Sequence, residues 1–244
     1  METIGIIVAA GKGIRMGAGI RKQYMRLEGL PLLCHAVRAF DVCPEIHRIL
    51  LVIPEEDAAY CREEILPCIP LKCPVTMVHG GTKRQESVYN ALLTAGESVS
   101  LVAIHDGVRP LVHPRHIQKT LDCAASTGAA VLAVPATDTL KRIDDHFRVR
   151  ETIDRKEIWI AQTPQSFRYP IIRDAHEKAR QTGYTATDDA ELVEQAGYPV
   201  KLVHGSRFNI KVTLAEDLIM AKVLFPLMES EDFPRFRRGC GGGV

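Results

Sequence analysis

Five short apolar runs punctuate the first 135 residues: TIGIIVA (3–9), IHRILLVI (46–53), VTMVH (75–79), LVAIH (101–105) and AAVLAV (129–134). Most of their positions are apolar on both alternating sets, so one face cannot be left to water. Such runs belong in a sheet covered on both sides. Helix-like segments lie between them, among them PLLCHAVRAF (31–40), whose Pro31 suits a first helical turn, and RQESVYNALLTA (84–95). A further helix is expected to start near Pro114. Strands alternating with helices predict a mostly parallel sheet in an α/β fold. Ligands of such sheets sit outside the carboxyl ends of the strands. The glycine loop after Val8, the Gly80-Gly81 pair and Asp106 all fall at those ends.

The pattern changes after Pro135. Residues 138–159 read DTLKRIDDHFRVRETIDRKEIW, alternating polar and apolar with a turn near Asp144 and Asp145, which predicts an extended hairpin arm. Helix signals return at PIIRDAHEKARQTG (170–183) and TDDAELVEQAG (187–197), followed by an expected strand YPVKLVHG (198–205). Thr213 and Glu216 have the spacing of a capping box before DLIMAKVLF. The tail FPRFRRGCGGGV has too little apolar periodicity to fold. Residues 1–228 are therefore expected to form one domain with its arm at 138–159, and 229–244 a flexible tail.

Hydrophobic residues make up 46 % of the 244, enough for an ordinary core. Thirty-one Lys and Arg face thirty Asp and Glu, a formal charge of +1 that argues against broad nucleic-acid binding but not against a local anion pocket. The seven cysteines contain no CxxC pair, so neither a zinc ribbon nor a redox motif is predicted, and free thiols in a reducing compartment are expected. The chain opens on METIGIIVAA without a basic leader, and no apolar run approaches the roughly 20 residues of a membrane span. A cytoplasmic protein without a membrane partner is the expectation.

The stretch IIVAAGKGIRMGAGIRKQY (6–24) joins flexible backbone to positive charge. Glycines let backbone N–H groups approach a phosphate closely. The spacing G11-x-G13-x-x-x-G17 is neither the dinucleotide GxGxxG nor a P-loop. Arg15 and Lys22 add the side-chain cations a triphosphate needs; a glycine-rich turn with solvated basic residues is the plainer alternative. Gly80, Gly81, Arg84 and Ser87 make a second glycine loop entering a helix, equally readable as an ordinary helix start. Asp106, at the end of a buried strand, is costly without a partner. That partner is either Mg²⁺ on a substrate phosphate or a salt bridge to Arg109. His105 reads as packed or hydrogen-bonded, since no second ligand stands at metal spacing. Lys211, between apolar neighbours in NIKVT, is either solvated or a phosphate contact.

Taken in order, AAGKGIRMG, RKQY, GGTKRQESV, HDGVRP, DTLKR, TIDR, AQTPQSF, TDDA and NIKVT resemble the 2-C-methyl-D-erythritol 4-phosphate cytidylyltransferase family over about residues 4–218. That resemblance implies a Rossmann-like nucleotidyltransferase fold with a protruding β-arm, a homodimer interlocked through the arms, and CTP, a polyol phosphate and Mg²⁺ as co-reactants in non-mevalonate isoprenoid synthesis. It implies CTP contacts at Ala9, Ala10, Gly11, Gly13, Gly80, Gly81, Arg84 and Ser87. Arg15, Lys22 and Lys211 would be catalytic, and Asp106 would carry the metal. Asp106, Arg109, Thr139, Arg155 and Thr163 would face the acceptor, the last two reaching across from a partner subunit. Arg21 stands where the family commonly has Pro, a change expected to loosen the loop. Ribitol 5-phosphate cytidylyltransferase, with the same chemistry, is the alternative; Ala9-Ala10-Gly11 favours methylerythritol phosphate. A nucleotide-binding module without catalysis is a second alternative, opposed by Arg15, Lys22, Asp106 and Lys211 standing together.

Overall fold

The computed structural model describes residues 2–11 and 21–229. All five apolar runs become strands: β1 (Glu2–Val8), β4 (Arg48–Ile53), β5 (Val75–His79), β6 (Val99–Asp106) and β7 (Ala129–Pro135). Two short strands, β2 (Arg26–Leu27) and β3 (Leu30–Pro31), make a small hairpin after the first loop. Helix α1 (Leu32–Asp41) follows it, so Pro31 is the residue before the helix rather than part of its first turn. A single turn, α2 (Ala58–Tyr60), precedes β5; α3 (Arg84–Ala95) and α4 (Pro114–Thr127) follow β5 and β6.

Beyond β7 lies the predicted hairpin, β8 (Leu140–Ile143) paired antiparallel with β9 (Val149–Ile153). Its turn forms because Asp144 Oδ1 accepts the amides of His146 at 2.9 Å and Arg148 at 3.0 Å. The expected arm runs on to Trp159, but Trp159 opens β10 (Trp159–Arg168), a central strand that the sequence pattern does not announce. Then come α5 (Tyr169–Thr182), α6 (Asp189–Gln195), β11 (Lys201–His204) and α7 (Ala215–Glu229). The last expected strand thus shrinks to four residues. The capping box shifts as well. Thr213 donates from both its amide and its hydroxyl to Asp217 Oδ2 at 2.7 Å, and Leu214 donates its amide to the same oxygen at 2.8 Å, so Asp217 and not Glu216 is the capping acid. With α7 starting at Ala215, Asp217 is the third helical residue, where a capping carboxylate can turn back.

Among the described residues the main sheet has the order β11-β7-β10-β6-β1-β4-β5. Only β10 runs antiparallel, wedged between β6 and β7. Alternation decides the two cores. Ile7, Ile49, Leu51 and Ile53 point to the face covered by α1 and α4, while Ile4, Ile6, Leu50 and Val52 point to the face covered by α3 and α5. Gly5 is required where α1 crosses: a Cβ there would stand 2.5 Å from the Phe40 ring. From β1 the chain builds β4 and β5 on one side and β6 on the other, so the order reverses at the β1/β6 boundary. That reversal splays the crossovers apart and opens a crevice at the carboxyl ends of both strands. The six described cysteines are free. Among the described residues no helix is long and apolar enough to cross a membrane.

His116 on α4 is buried, and its Nδ1 has no hydrogen-bond partner. Burial, reinforced by Arg115 and His113, pushes its imidazole down to about 4 from the usual 6.5. Between those values the unfolded chain binds the proton and the native chain does not. This contribution is therefore complete above pH 6.5 and lost as pH falls toward 4. From about pH 7 to about pH 5, urea titration should show His116→Gln losing less stability than the unsubstituted chain, by at most about 2 kcal/mol. Equal losses would show that His116 does not titrate differently on folding.

Candidate active site

The first loop leaves β1 with the Ala9 amide donating to the Val52 carbonyl at 2.7 Å. Its base is closed by Gln23, whose Nε2 donates to the carbonyls of Ala9 at 2.9 Å and Gly11 at 3.4 Å. Among the described residues, a Cβ on Gly11 would meet nothing within 4 Å. Gly13 and Arg15 lie outside the described residues. Lys22 begins the 3₁₀ turn Lys22–Tyr24 and lies near enough to Asp217 to help hold that carboxyl below its usual range, where the bonds from Thr213 and Leu214 are larger influences than Lys22 and overcome burial. The loop that Arg21 is expected to loosen lies mostly outside the described residues, but Arg21 itself is paired. It pairs with Glu56 at 2.6 Å and Asp57 at 3.1 Å, and Tyr24 donates its hydroxyl to Asp57 at 2.8 Å.

Across the crevice the Gly80 amide donates to the Ile53 carbonyl at 2.8 Å, extending the β4 edge into the second loop. A Cβ on Gly80 would fall 2.2 Å from the Ala10 Cβ and 3.1 Å from Ser87 Oγ. The two glycine loops therefore touch backbone to side chain. Ser87 Oγ accepts the Gly81 amide at 3.0 Å and donates to the Lys83 carbonyl at 3.1 Å, which locks the second loop to the start of α3. Ala9, Ala10, Gly11, Gly80, Gly81 and Ser87 thus line one continuous wall at the ends of β1 and β5.

Asp106 closes β6, and its side chain is only 8 % exposed. Burial alone would push its carboxyl up, but Arg84, Lys211 and Arg109 together hold it well below the usual carboxylate range. Arg84 Nε stands 3.3 Å from Oδ1, Lys211 Nζ 2.9 Å from Oδ2 and Arg109 Nε 3.4 Å from Oδ2. Lys211 is neither buried nor simply solvated: its side chain is 41 % exposed and paired with Asp106. Arg109 is fixed further by donation to the Asn209 carbonyl at 2.8 Å. Arg84 reaches past Asp106 to Asp189 Oδ2 at 2.7 Å, and buried Asp189 also faces His176 at 3.4 Å. His105 is buried and held down to about 4 by that burial, hence neutral. It is the hydrogen-bonded residue the sequence predicts, not a metal ligand.

Two expected site residues lie apart from this cluster. Thr139 is exposed at the foot of the arm. Arg155 is exposed too and donates to the Thr137 carbonyl of its own chain, next to Arg207, which donates to the Thr137 hydroxyl. Thr163 is expected to reach into a partner's site, and its position overturns that. It is 5 % exposed, and its hydroxyl accepts the Asp106 amide at 3.1 Å and meets His105 Nδ1 at 2.9 Å within one chain. The reason is β10: pairing with β7 breaks between Ala161 and Gln165, beside Asp106. Asp189 is a site residue that the sequence motifs do not single out, although TDDA carries the signal. Asp188 suffices to cap α6, accepting the Glu191 amide at 2.9 Å, which leaves the second acid free for another partner.

The residues present fit a cation brought by a nucleotide rather than a resident metal. Among the described residues no three His, Cys, Asp or Glu side chains gather as ligands. One carboxylate plus substrate phosphates is an ordinary Mg²⁺ environment, and Asp106 Oδ1, engaged by Arg84, keeps acceptor capacity.

A doubly covered, mostly parallel sheet whose switch point joins backbone-rich loops to a ring of cations marks an α/β protein of the nucleotidyltransferase type. Comparison with known proteins agrees. The family model for 2-C-methyl-D-erythritol 4-phosphate cytidylyltransferase matches residues 3–226, and the chain belongs to that family. It is 43 % identical to the enzyme of that name from Pelotomaculum thermopropionicum, over 91 % of this chain and 94 % of that protein. To the one from Geobacillus thermodenitrificans it is 44 % identical, over 92 % and 97 %. Its structure resembles the 4-diphosphocytidyl-2C-methyl-D-erythritol synthase of Anaerococcus prevotii, with TM-score 0.81, 32 % identity and coverage of 92 % and 96 %. It also resembles the Thermus thermophilus cytidylyltransferase, with TM-score 0.74, 33 % identity and coverage of 92 % and 98 %.

The contact between Gly80 and Ala10 yields a direct check. Gly80→Ala must push the two loops apart, and overpacking of this kind typically costs about 1–3 kcal/mol. Initial-rate kinetics should show KM for CTP raised about tenfold or more, with a smaller change in kcat. An unchanged KM would mean that these loops do not jointly form the nucleotide wall.

Proposed function

We propose that this chain transfers CMP from CTP to the phosphate of 2-C-methyl-D-erythritol 4-phosphate, releasing pyrophosphate, in non-mevalonate isoprenoid precursor synthesis. The observation that carries the proposal is the buried Asp106 carboxylate ringed by Arg84, Arg109 and Lys211 at the switch point. The family and the relatives' names point the same way. Ribitol 5-phosphate, which would react by the same chemistry, is the competing acceptor.

The chemistry follows from charge. A sugar phosphate has its second pKa near 6 and is largely dianionic at about pH 7. One of its oxygens attacks the α-phosphorus of CTP in line; the new P–O bond forms as the α–β bridging P–O bond breaks and its electrons leave with pyrophosphate. No general base is needed. Among the described residues of the crevice, His105 has both ring nitrogens hydrogen-bonded and Asp106 has both oxygens paired with cations, so neither is placed to act as one. The barrier lies in bringing anions together and in stabilising charge on the phosphates. Arg15 and Lys22 from the first loop, with Lys211 opposite, supply that stabilisation, while Arg109 and Thr139 face the acceptor. Ala9, Ala10, Gly11, Gly13, Gly80, Gly81 and Ser87 hold the nucleotide, and Arg84 acts as the strut between Asp106 and Asp189. Mg²⁺ arriving with CTP would be held by Asp106 and the phosphates and would neutralise their charge.

The arm supports a homodimer. Phe147 is 85 % exposed, Val149 59 % and Ile143 47 %, a density of bare apolar side chains that a two-stranded hairpin cannot stabilise alone. A second copy's arm would cover them and bring the partner's Arg155 to the acceptor site. Residues 1–228 then form one nucleotidyltransferase domain, with 138–158 as its dimerisation arm, working in the cytoplasm.

Two experiments test this. With CTP and Mg²⁺, pyrophosphate release should show a higher kcat/KM for methylerythritol 4-phosphate than for ribitol 5-phosphate; the reverse order would reassign the acceptor. For the dimer, Arg155→Ala and Lys22→Ala subunits should each be nearly inactive, with losses of about 10²–10³-fold for a lost transition-state donor. Coexpressed as a verified heterodimer, one site carries both defects and the other neither, so activity should return toward half that of the unsubstituted dimer. A heterodimer without recovery would place Arg155 outside the partner's site, and a sedimentation profile of monomers at micromolar concentration would remove the interlocked arm.

A further inference from the structure

The turn that carries Asp106 and Arg109 is braced from beneath by a side chain that touches neither phosphate nor cation. His105 is wholly buried, with its ring 5.3 Å from that of Phe40. The Asp106 amide donates to Thr163 Oγ1 at 3.1 Å, and Oγ1 lies 2.9 Å from His105 Nδ1. The Arg109 carbonyl, 3.1 Å from Nε2, can only accept, so the proton of the neutral ring sits on Nε2 and Nδ1 accepts the Thr163 hydroxyl. Every donor in the chain has one acceptor, so the direction is unique. It runs from the backbone of Asp106, through a hydroxyl on β10 and the imidazole, to the backbone of Arg109.

Two more bonds close the frame. The Arg109 amide donates back to the Asp106 carbonyl at 3.0 Å, and the Val108 carbonyl accepts the Val212 amide at 2.9 Å. The same turn is thereby fastened to the residue next to Lys211. The Asn209 amide group donates to the Thr163 carbonyl at 2.8 Å, tying β10 to the segment that bears Lys211. The backbones under Asp106, Arg109 and Lys211 thus share one hydrogen-bonded support, and His105 lies at its centre.

We propose that His105 is a positioning residue for the transfer reaction: by linking Thr163 to the Arg109 carbonyl it fixes the spacing of Asp106, Arg109 and Lys211 as their side chains turn from one another to phosphate. The proposal rests on the cytidylyl-transfer reading above. The need is physical. Each cation is paired with Asp106 here and has to exchange that partner for substrate oxygens. If the backbones moved during the exchange, the donors would miss the charge that develops, and a displacement of about 1 Å can cost about 10²-fold in rate.

His105→Phe keeps a ring against Phe40 and removes both hydrogen bonds. Its kcat should fall about 10- to 100-fold, with KM for CTP and for the acceptor changed by less than about threefold. His105→Gln, whose amide can still donate to the Arg109 carbonyl, should recover part of the loss. Thr163→Val cuts the other link, and the double variant should be hardly slower than the worse single one, because both break one chain. A folded His105→Phe protein with undiminished kcat would overturn the proposal, as would a loss confined to KM or losses that multiply in the double variant. Should His105→Phe not fold by circular dichroism, Thr163→Val carries the test alone, and an undiminished kcat in it overturns the proposal. Amide hydrogen exchange in the full chain separates this inference from the functional reading. If the unsubstituted protein releases no pyrophosphate from any acceptor, the functional reading falls, while faster exchange at Asp106 in His105→Phe still shows the brace and unchanged exchange rejects it.

Discussion

A single buried carboxylate organises the active crevice. Leaving Asp106 ionised at the end of a central strand would be strongly unfavourable without compensation, and Arg84, Arg109 and Lys211 supply it from three separate stretches of chain. Arg84 and Arg109 are costly to bury on their own account, so they and the carboxylate depend on one another. Arg84 comes from the start of α3, Arg109 from the turn after β6 and Lys211 from the segment before α7. The charge of one side chain therefore ties together both halves of the sheet. Asp189 extends the arrangement by giving Arg84 a second anion, which keeps that guanidinium raised in pKa despite burial.

The glycines answer a different constraint. Phosphate recognition by backbone amides requires two loops to approach closely, and Gly80 against Ala10 marks where any larger residue would stop them. Gln23 and Arg21 hold the far end of the first loop, one through backbone carbonyls and the other through two carboxylates. The crevice is thus shaped by small residues at its floor and held by polar ties at its edges, with positive charge concentrated between them. Such a site suits two polyanions and offers little to an apolar ligand.

Much of the fold is legible in the sequence. The five apolar runs are strands almost at their expected bounds because burial on both faces leaves no other arrangement for them. The arm is legible as a hairpin from its alternation. Strand β10 is not, because TPQSF breaks the apolar pattern and carries polar residues whose partners lie far along the chain. Gln165 shows why: its carbonyl oxygen accepts the amides of Asp189 and Ala190, both at 3.1 Å, so a polar side chain in a central strand is satisfied by a helix start 24 and 25 residues on. The capping acid of α7 shifts by one position for a related reason, since spacing alone leaves the first helical residue undetermined by a step.

By itself the sequence determined five of the sheet's strands, the glycine loops, and Asp106, Arg84, Arg109 and Lys211 near the strand ends, because hydrophobic periodicity and backbone freedom are local properties. Only the tertiary structure decided how those charges pair. Asp106 has three cations and not one, Arg84 has two anions, Arg21 is paired with Glu56 and Asp57, and Thr163 serves its own chain beneath Asp106. Pairing depends on which strand ends adjoin, and β10 enters the sheet between β6 and β7 in the antiparallel sense. That insertion brings a hydroxyl beside His105 across 58 residues of sequence, a distance over which no local pattern carries information.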